Sequence, residues 1–114
     1  MMSIDDLIGK LSEVEPKPTS NLINAELYNL ITQESHGTDF SFNILKILPK
    51  GLVKEQAHAD EHAIFVLDGK CRIQLSDNWV NAEKDDYIYI PPNMTHAFSN
   101  VEEKSVKILI LKKK

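Results

Sequence analysis

The chain has 114 residues, with 13 Lys and Arg against 17 Asp and Glu, a net charge of −4 and a pI near 5.5. An acidic balance of this kind argues against a nucleic-acid surface, which needs clustered basic residues, and the length is that of one domain with a real core and no second one. The single cysteine, Cys71, excludes an intramolecular disulfide and fits a reducing compartment. No apolar run approaches membrane-spanning length, and residues 1–15 carry acids where a signal peptide needs a basic start, so a soluble cytoplasmic protein without a membrane partner is expected.

At the N-terminus, Ser3-Ile4-Asp5-Asp6 reads as a helix cap with acids in the first turn, and Ile4, Leu7, Ile8, Leu11 and Val14 recur at helical spacing until Pro16 and Pro18. Residues 1–18 are therefore expected to form one short amphipathic helix packed on the domain or on a second subunit, with the β-domain over 25–114. From Ala25 the pattern changes to short alternating runs. Glu26 to Thr32 is the first strand, Ser35 to Asp39 a turn, and Phe40 to Leu48 the second strand, in which Phe40, Phe42 and Ile44 alternate before Leu45 and Ile47 continue on the other parity. That slip predicts a bulge or a strand buried on both faces. Pro49-Lys50-Gly51 and Asp68-Gly69-Lys70 read as turns, and further runs follow at Cys71 to Leu75, Trp79 to Ala82, Asp86 to Ile90, His96 to Ser99 and Ser105 to Leu111. Short strands about ten residues apart, with one terminal helix, predict an all-β barrel or sandwich. Lys112, Lys113 and Lys114, the only basic run, read as a solvated tail.

Three of the four histidines fall in two pieces, Gly51 to Gly69 and Pro91 to His96. In an extended segment Gln56 and His58 point the same way. His62 opens the next apolar run after a polar turn at Ala59 to Glu61, and His96 follows a Pro-Pro turn at a separation that lets a returning strand lie across from the hairpin. Taken singly, each is as well read as a hydrogen-bonded interior histidine; jointly, Gln56, His58, His62 and His96 point to one metal site. Gln56 is the weakest donor of the set and either binds the ion or hydrogen-bonds a water on it. His36, beside Gly37, reads as a surface residue. Glu61 faces away from His62 in a regular strand, and Cys71 reads as packing. Tyr87 and Tyr89 share one strand face and Ile88 and Ile90 the other, with parity silent on which faces inward.

These two pieces resemble the paired motifs of the cupin superfamily, jelly-roll β-barrels with a metal at the centre. Gly51, His58 and Gly69 match the first motif, with Gln56 on the place of its first histidine and His62 on that of its acid. Pro91, His96 and Asn100 match the second, while Asn93 replaces the usual Gly and Asp85 stands where another Gly is common. The resemblance runs from about Phe40 to Leu111 and is nearest to single-domain cupins with an all-histidine site. It implies a cupin-type barrel that pairs through its sheets into a homodimer. It also implies a metal-dependent dioxygenase, isomerase or lyase acting on a small molecule.

Three imidazoles and an amide are all neutral, so a bound ion would keep its full +2 charge. Imidazole suits Mn, Fe, Ni, Zn and Cu, and the affinity order alone does not choose among them. A metal-dependent enzyme on a small oxygen-bearing molecule, a non-catalytic binding or sensor module, and a metal-free structural protein are the three function classes this pattern allows. The helix stripe, the two-sided burial at Leu45 and Ile47 and the apolar run Val106 to Leu111 leave more apolar surface than one small barrel hides, which also predicts a homodimer.

Overall fold

In the structure, a computed structural model that describes residues 2–114, eight strands form one curled sheet: β1 (Leu22–Ile31), β2 (Phe40–Gln56), β3 (Glu61–Asp68), β4 (Lys70–Leu75), β5 (Asn78–Glu83), β6 (Tyr87–Ile90), β7 (His96–Ser99) and β8 (Val106–Lys113). The hydrogen-bonded order is β5-β4-β7-β2-β8-β3-β6, with β1 also on β2, and every pairing is antiparallel. Neighbours in sequence such as β3 and β4 lie in different halves, as in a jelly roll.

The long strand β2 makes this arrangement possible. Its first part pairs β8 from Phe40 to Ile47, and its last part pairs β7 from Leu52 to Gln56, while β1 accompanies both parts. The β1–β2 ribbon is thus a shared spine, bent between Ile47 and Leu52, from which two leaves fold over one another. Pro49-Lys50-Gly51 was expected to end a strand; instead the chain bulges there and continues. Lys50 takes a left-handed φ of 64° opposite Asn24 at 48°. Gly51 is required at the bend, since a Cβ on it would stand 2.2 Å from the Asn24 carbonyl oxygen. Gly69 serves the next corner with φ 81°, and its missing Cβ leaves room for the Ser105 carbonyl.

The core lies between the leaves. Leu45, Ile47, Val53, Ile64, Val66, Ile73, Ile90, Phe98, Val106, Ile108 and Ile110 fill it at two-residue spacing, Cys71 and Ala82 among them. Each large side chain contributes roughly 1.5–3 kcal/mol by leaving water. Cys71 is packing, and burial pushes its thiol pKa up to about 12. The parity slip in β2 is resolved as burial on both faces: Asn43, Leu45 and Ile47 are buried with Ile44 between them, and Leu11, Val14 and Pro16 of the N-terminal segment border the groove over Ile44. Ile90 points inward at 0% exposure while Tyr87 and Tyr89 point out, which answers the parity left open above.

The short N-terminal helix is present but shorter than the stripe from Ile4 to Val14 implies: it is one turn, α1 (Ile4–Leu7), followed by a 3-10 turn at Leu11–Glu13. Ile4, Leu7 and Ile8 remain exposed, and an apolar stripe left exposed does not carry a helix past Leu7. β1 starts at Leu22 rather than near residue 25, since Leu22 and Ile23 pair Val53 and Leu52 beyond the bulge. The turn after β1 contains a helical turn, α2 (Gln33–His36), closed by Gly37 at φ 70°.

Candidate metal centre

The two leaves bring three histidines to one end of the core from three different places. His62 is the second residue of β3, in one leaf; His96 opens β7, in the other; His58 stands in the connection between β2 and β3. Each offers a ring nitrogen, and these atoms all lie within 4.8 Å of one another. Ring centroids are 5.7 Å apart for His58 and His62, 5.4 Å for His58 and His96 and 4.9 Å for His62 and His96. With metal–nitrogen distances of about 2.1 Å, donors on one ion stand up to about 4 Å apart, so modest side-chain rotation closes the cluster on a single cation.

Local chemistry explains why the chain holds them there. The turn from Pro91 to Met94 reverses the chain before β7, and Asn93 sits in it at φ 67°, the left-handed region that Asn tolerates better than most residues. The Asn93 amide donates to the His58 carbonyl at 2.6 Å, tying the two ligand-bearing loops together. Asp85, the other non-glycine at a glycine-favouring position, likewise has φ 75° and donates its amide to Val66 O at 2.9 Å. Both departures from the cupin pattern thus keep the backbone shape that glycine usually supplies.

Burial favours the neutral form of His62 and His96. His96 Nδ1 lies 3.0 Å from the Met94 carbonyl; that pairing makes Nδ1 the protonated nitrogen and leaves the lone pair on Nε2. Burial first, then repulsion from His96, Lys112 and His58, pushes the His62 pKa down to about 4, with Asp60 opposing. His96 is also held below the ordinary imidazole value by burial, with the Met94 bond opposing and His58 and Lys112 adding repulsion. One further atom bears on the fit of a cation: His62 Nδ1 is buried with no hydrogen-bond partner among the described residues, in a set of three imidazole donors of which His62 and His96 are buried and His58 is half-buried. These residues fit a divalent transition metal.

The His62 shift has a measurable result. In the unfolded chain the imidazole titrates near 6.5, whereas in the folded protein it stays neutral down to about 4. Between those values the unfolded state takes up a proton that the native state refuses, so metal-free stability falls as pH drops from about 6.5 to about 4, and this contribution is flat above 6.5. Urea midpoints at pH 8, 6, 5 and 4 measure it; His62→Gln is expected to lose less stability over that window, and an identical loss would assign the slope to other groups.

Gln56 ends β2 and is the register partner of His96. It lines the same cavity as the three histidines, but its Oε1 accepts from Asn21 Nδ2 at 2.9 Å. Asn21 in turn accepts from the Thr19 hydroxyl. His36 is on α2 with Nε2 3.0 Å from the Asp6 carbonyl and is not one of the clustered histidines. Glu61 faces outward and accepts from the Tyr89 hydroxyl at 2.6 Å.

The cavity holds about 260 Å³ and has an apolar floor of Leu22, Leu27, Leu45, Val53, Phe98 and Ile110. Sequence reading missed one wall of it. Lys112 is no solvated tail residue: it pairs His62 across β3 and β8 and lines the cavity with Lys17. The signal was present, since Lys112 falls two residues after Ile110 on the inward parity of Val106, Ile108 and Ile110. Lys113, on the other parity, points out to Asp39 at 3.8 Å.

A small jelly roll with three imidazoles gathered at one end of its core defines a class of single-domain β-barrels with a histidine centre. The chain belongs to the cupin family: residues 43–112 match the family described as Cupin domain. Among curated proteins it is similar to the (S)-ureidoglycine aminohydrolase of Escherichia coli (strain K12), 28% identical over 85 residues, covering 72% of this chain. The matched part spans 31% of that relative's length. Among solved structures, a predicted oxalate decarboxylase from Thermotoga maritima superposes with TM-score 0.83 at 18% identity, covering 93% of this chain and 97% of that one. The polyketide cyclase RemF from Streptomyces resistomycificus gives 0.84 at 20% identity over 98% and 79%. At these identities the structures share the fold. No helix among the described residues is long and apolar enough to cross a membrane.

Proposed function

We propose that this cupin is a metal-dependent enzyme, acting as a dioxygenase, isomerase or lyase on a small oxygen-bearing organic molecule, with His58, His62 and His96 as metal ligands. The observation that carries this reading is the convergence of three imidazole nitrogens from two leaves and a connecting loop at the wall of one cavity. A metal held there supplies Lewis acidity, or the means to activate O₂, at positions the protein leaves open. The chain's own residues do the rest. The Met94 carbonyl orients His96, the Asn93 amide fixes the His58 loop, and Gln56, held by Asn21, is placed to orient a water or substrate oxygen or to serve as a fourth ligand. The apolar floor excludes water, and a cavity of about 260 Å³ suits a molecule below drug size.

The deciding experiment loads metal-free protein with Mn, Fe, Ni, Zn or Cu in turn and assays small oxygen-bearing compounds with and without O₂. Turnover with Fe or Mn that consumes O₂ supports oxygenation; anaerobic turnover with Ni or Zn supports isomerase or lyase chemistry. A second reading, a non-catalytic metal or ligand sensor in a reducing cytoplasm, is favoured by one feature. The cavity lining contains no carboxylate, tyrosine or cysteine to act as a proton-transfer group. Tight binding without rate above background would establish it.

The protein also pairs, in this reading, into a homodimer through the outer face of the β6-β3-β8-β2 leaf. Register places Phe42, Ala63, Phe65, Tyr87, Tyr89, Leu109 and Leu111 together there, and Phe65, Leu111, Tyr87 and Tyr89 are exposed; a cluster of exposed apolar side chains of this kind suits an interface. Sedimentation of a monomer at micromolar concentration rejects the pairing.

A further inference from the structure

We propose that the cavity recognises a small organic acid, with the Lys112 ammonium, supported by Lys17, receiving the carboxylate while the histidine centre takes a neighbouring oxygen; this rests on the metal-site reading above. The observation is a charge imbalance in the lining. Lys17 and Lys112 both line the cavity, its other polar members are Thr19, Asn21, Asn29, Gln56 and the three histidines, and no carboxylate is among them. Neither lysine takes part in the ion pairs of the described residues, which are Lys70–Glu102 and Lys113–Asp39.

Position makes the imbalance functional. Inward parity on β8 and the register pairing with His62 aim Lys112 at the histidine side of the cavity. Its charge is felt by both His62 and His96. Lys112 is itself partly buried, which together with the like charge of Lys17 works against its protonated form, while Asp60 favours it. Asp60 borders the adjoining groove, which shares Lys17 and Lys112 with the cavity, and is not among the cavity's lining residues. An ion on neutral ligands would add two positive charges to the two ammoniums, with nothing inside to balance them. Uncompensated charge in a partly desolvated site is costly, and the molecule that relieves it is an anion; a carboxylate also matches the single-point, rotatable donor geometry of a lysine. An oxygen on the adjacent carbon would reach the metal, so a 2-hydroxy or 2-oxo acid is the expected form.

The test uses a pair of probes, lactate and lactamide, which share the carbon frame and the 2-hydroxyl and differ in the carboxylate charge. Full-length protein loaded with Co(II) is titrated with each, following the visible absorption of the ion. Lactate is expected to bind at least tenfold tighter than lactamide in the parent protein. Lys112→Met should lower that preference at least tenfold, Lys112→Arg restore much of it, and Lys113→Gln leave it unchanged, with circular dichroism confirming that each variant folds. Equal affinity for the two probes in the parent, or a preference for lactate as large in folded Lys112→Met as in the parent, overturns the inference while leaving the metal site standing. If the protein takes up no Co(II), the metal reading fails separately. The metal-free protein then decides: thermal stabilisation by lactate, absent in Lys112→Met, supports the anion site, and stabilisation that is missing or equal in both refutes it.

Discussion

Replacing His96 with alanine is expected to empty the metal centre. His96 is 1% exposed, its ring is the nearest to His62, and its Nδ1 is engaged by the Met94 carbonyl, so it is the most firmly pre-oriented of the three imidazoles. Losing an outer hydrogen-bond partner of a ligand already costs roughly 10–100-fold in metal affinity; losing the ligand itself should cost more. Elemental analysis after dialysis should show near-stoichiometric metal in the parent protein and less than about a tenth of that in His96→Ala, a deficit consistent with that loss of affinity. His62→Ala should behave similarly, and His36→Ala, on α2, should retain full occupancy. A His96→Ala protein that folds and keeps its full equivalent of metal would remove the histidine cluster from consideration.

The largest expected stability effect lies away from the centre, at Asn100. This side chain is 1% exposed, and its Nδ2 donates to the carbonyls of Ile47, Leu48 and Lys104 at 3.0, 3.2 and 2.9 Å. Its Oδ1 accepts from the Glu102 amide at 2.9 Å, and its backbone exchanges two further bonds with Lys50 and Gly51. One residue therefore pins the bend of β2 to the loop between β7 and β8. Asn100→Ala strands three carbonyls and an amide, at about 2–4 kcal/mol from typical net hydrogen-bond values. At several degrees per kcal/mol for a domain of this size, that is a fall of roughly 10 °C or more in Tm. Asn100→Asp should be worse, because a carboxylate at the same place presents charge to three carbonyl oxygens and donates nothing. If the aspartate variant proves as stable as the parent, the amide is not what holds the bend.

What the sequence could reveal followed from local rules acting alone. Two-residue alternation exposed most strands, and the spacing of His58, His62 and His96 was enough to gather them because the turns between are short and fixed by Gly69 and the Pro91–Pro92 pair. Asn93 and Asp85 hold the backbone shapes of the glycines they replace, so the motif survives its departures. Where non-local contacts decide, reading failed. Pro49-Lys50-Gly51 looks like a turn because the partners that keep β2 going, Leu22 and Ile23 on one side and Ser99 and Phe98 on the other, are remote in sequence. The N-terminal stripe looked helical, but nothing in the fold covers Ile4, Leu7 and Ile8. Lys112 was hidden by its neighbours, since a run of three lysines resembles a tail until the parity of β8 is carried one step further. The Asn21 bond to Gln56 joins residues 35 apart in sequence and left no local trace.

The bent ribbon of β1 and β2 also bears on how the molecule comes to exist. β2 can pair β1 as soon as both are made, but its other edge stays open until the chain's last third has been made, because its partners there are β7 and β8, with Phe40 meeting Lys113 and Leu52 meeting Ser99. Contact order is correspondingly high, and chains of this kind reach the native state in milliseconds to seconds rather than microseconds. His96 joins His58 and His62 only when the second leaf docks, so a nascent chain holds an incomplete set of imidazoles, and the proposed metal site can form only at the end of folding.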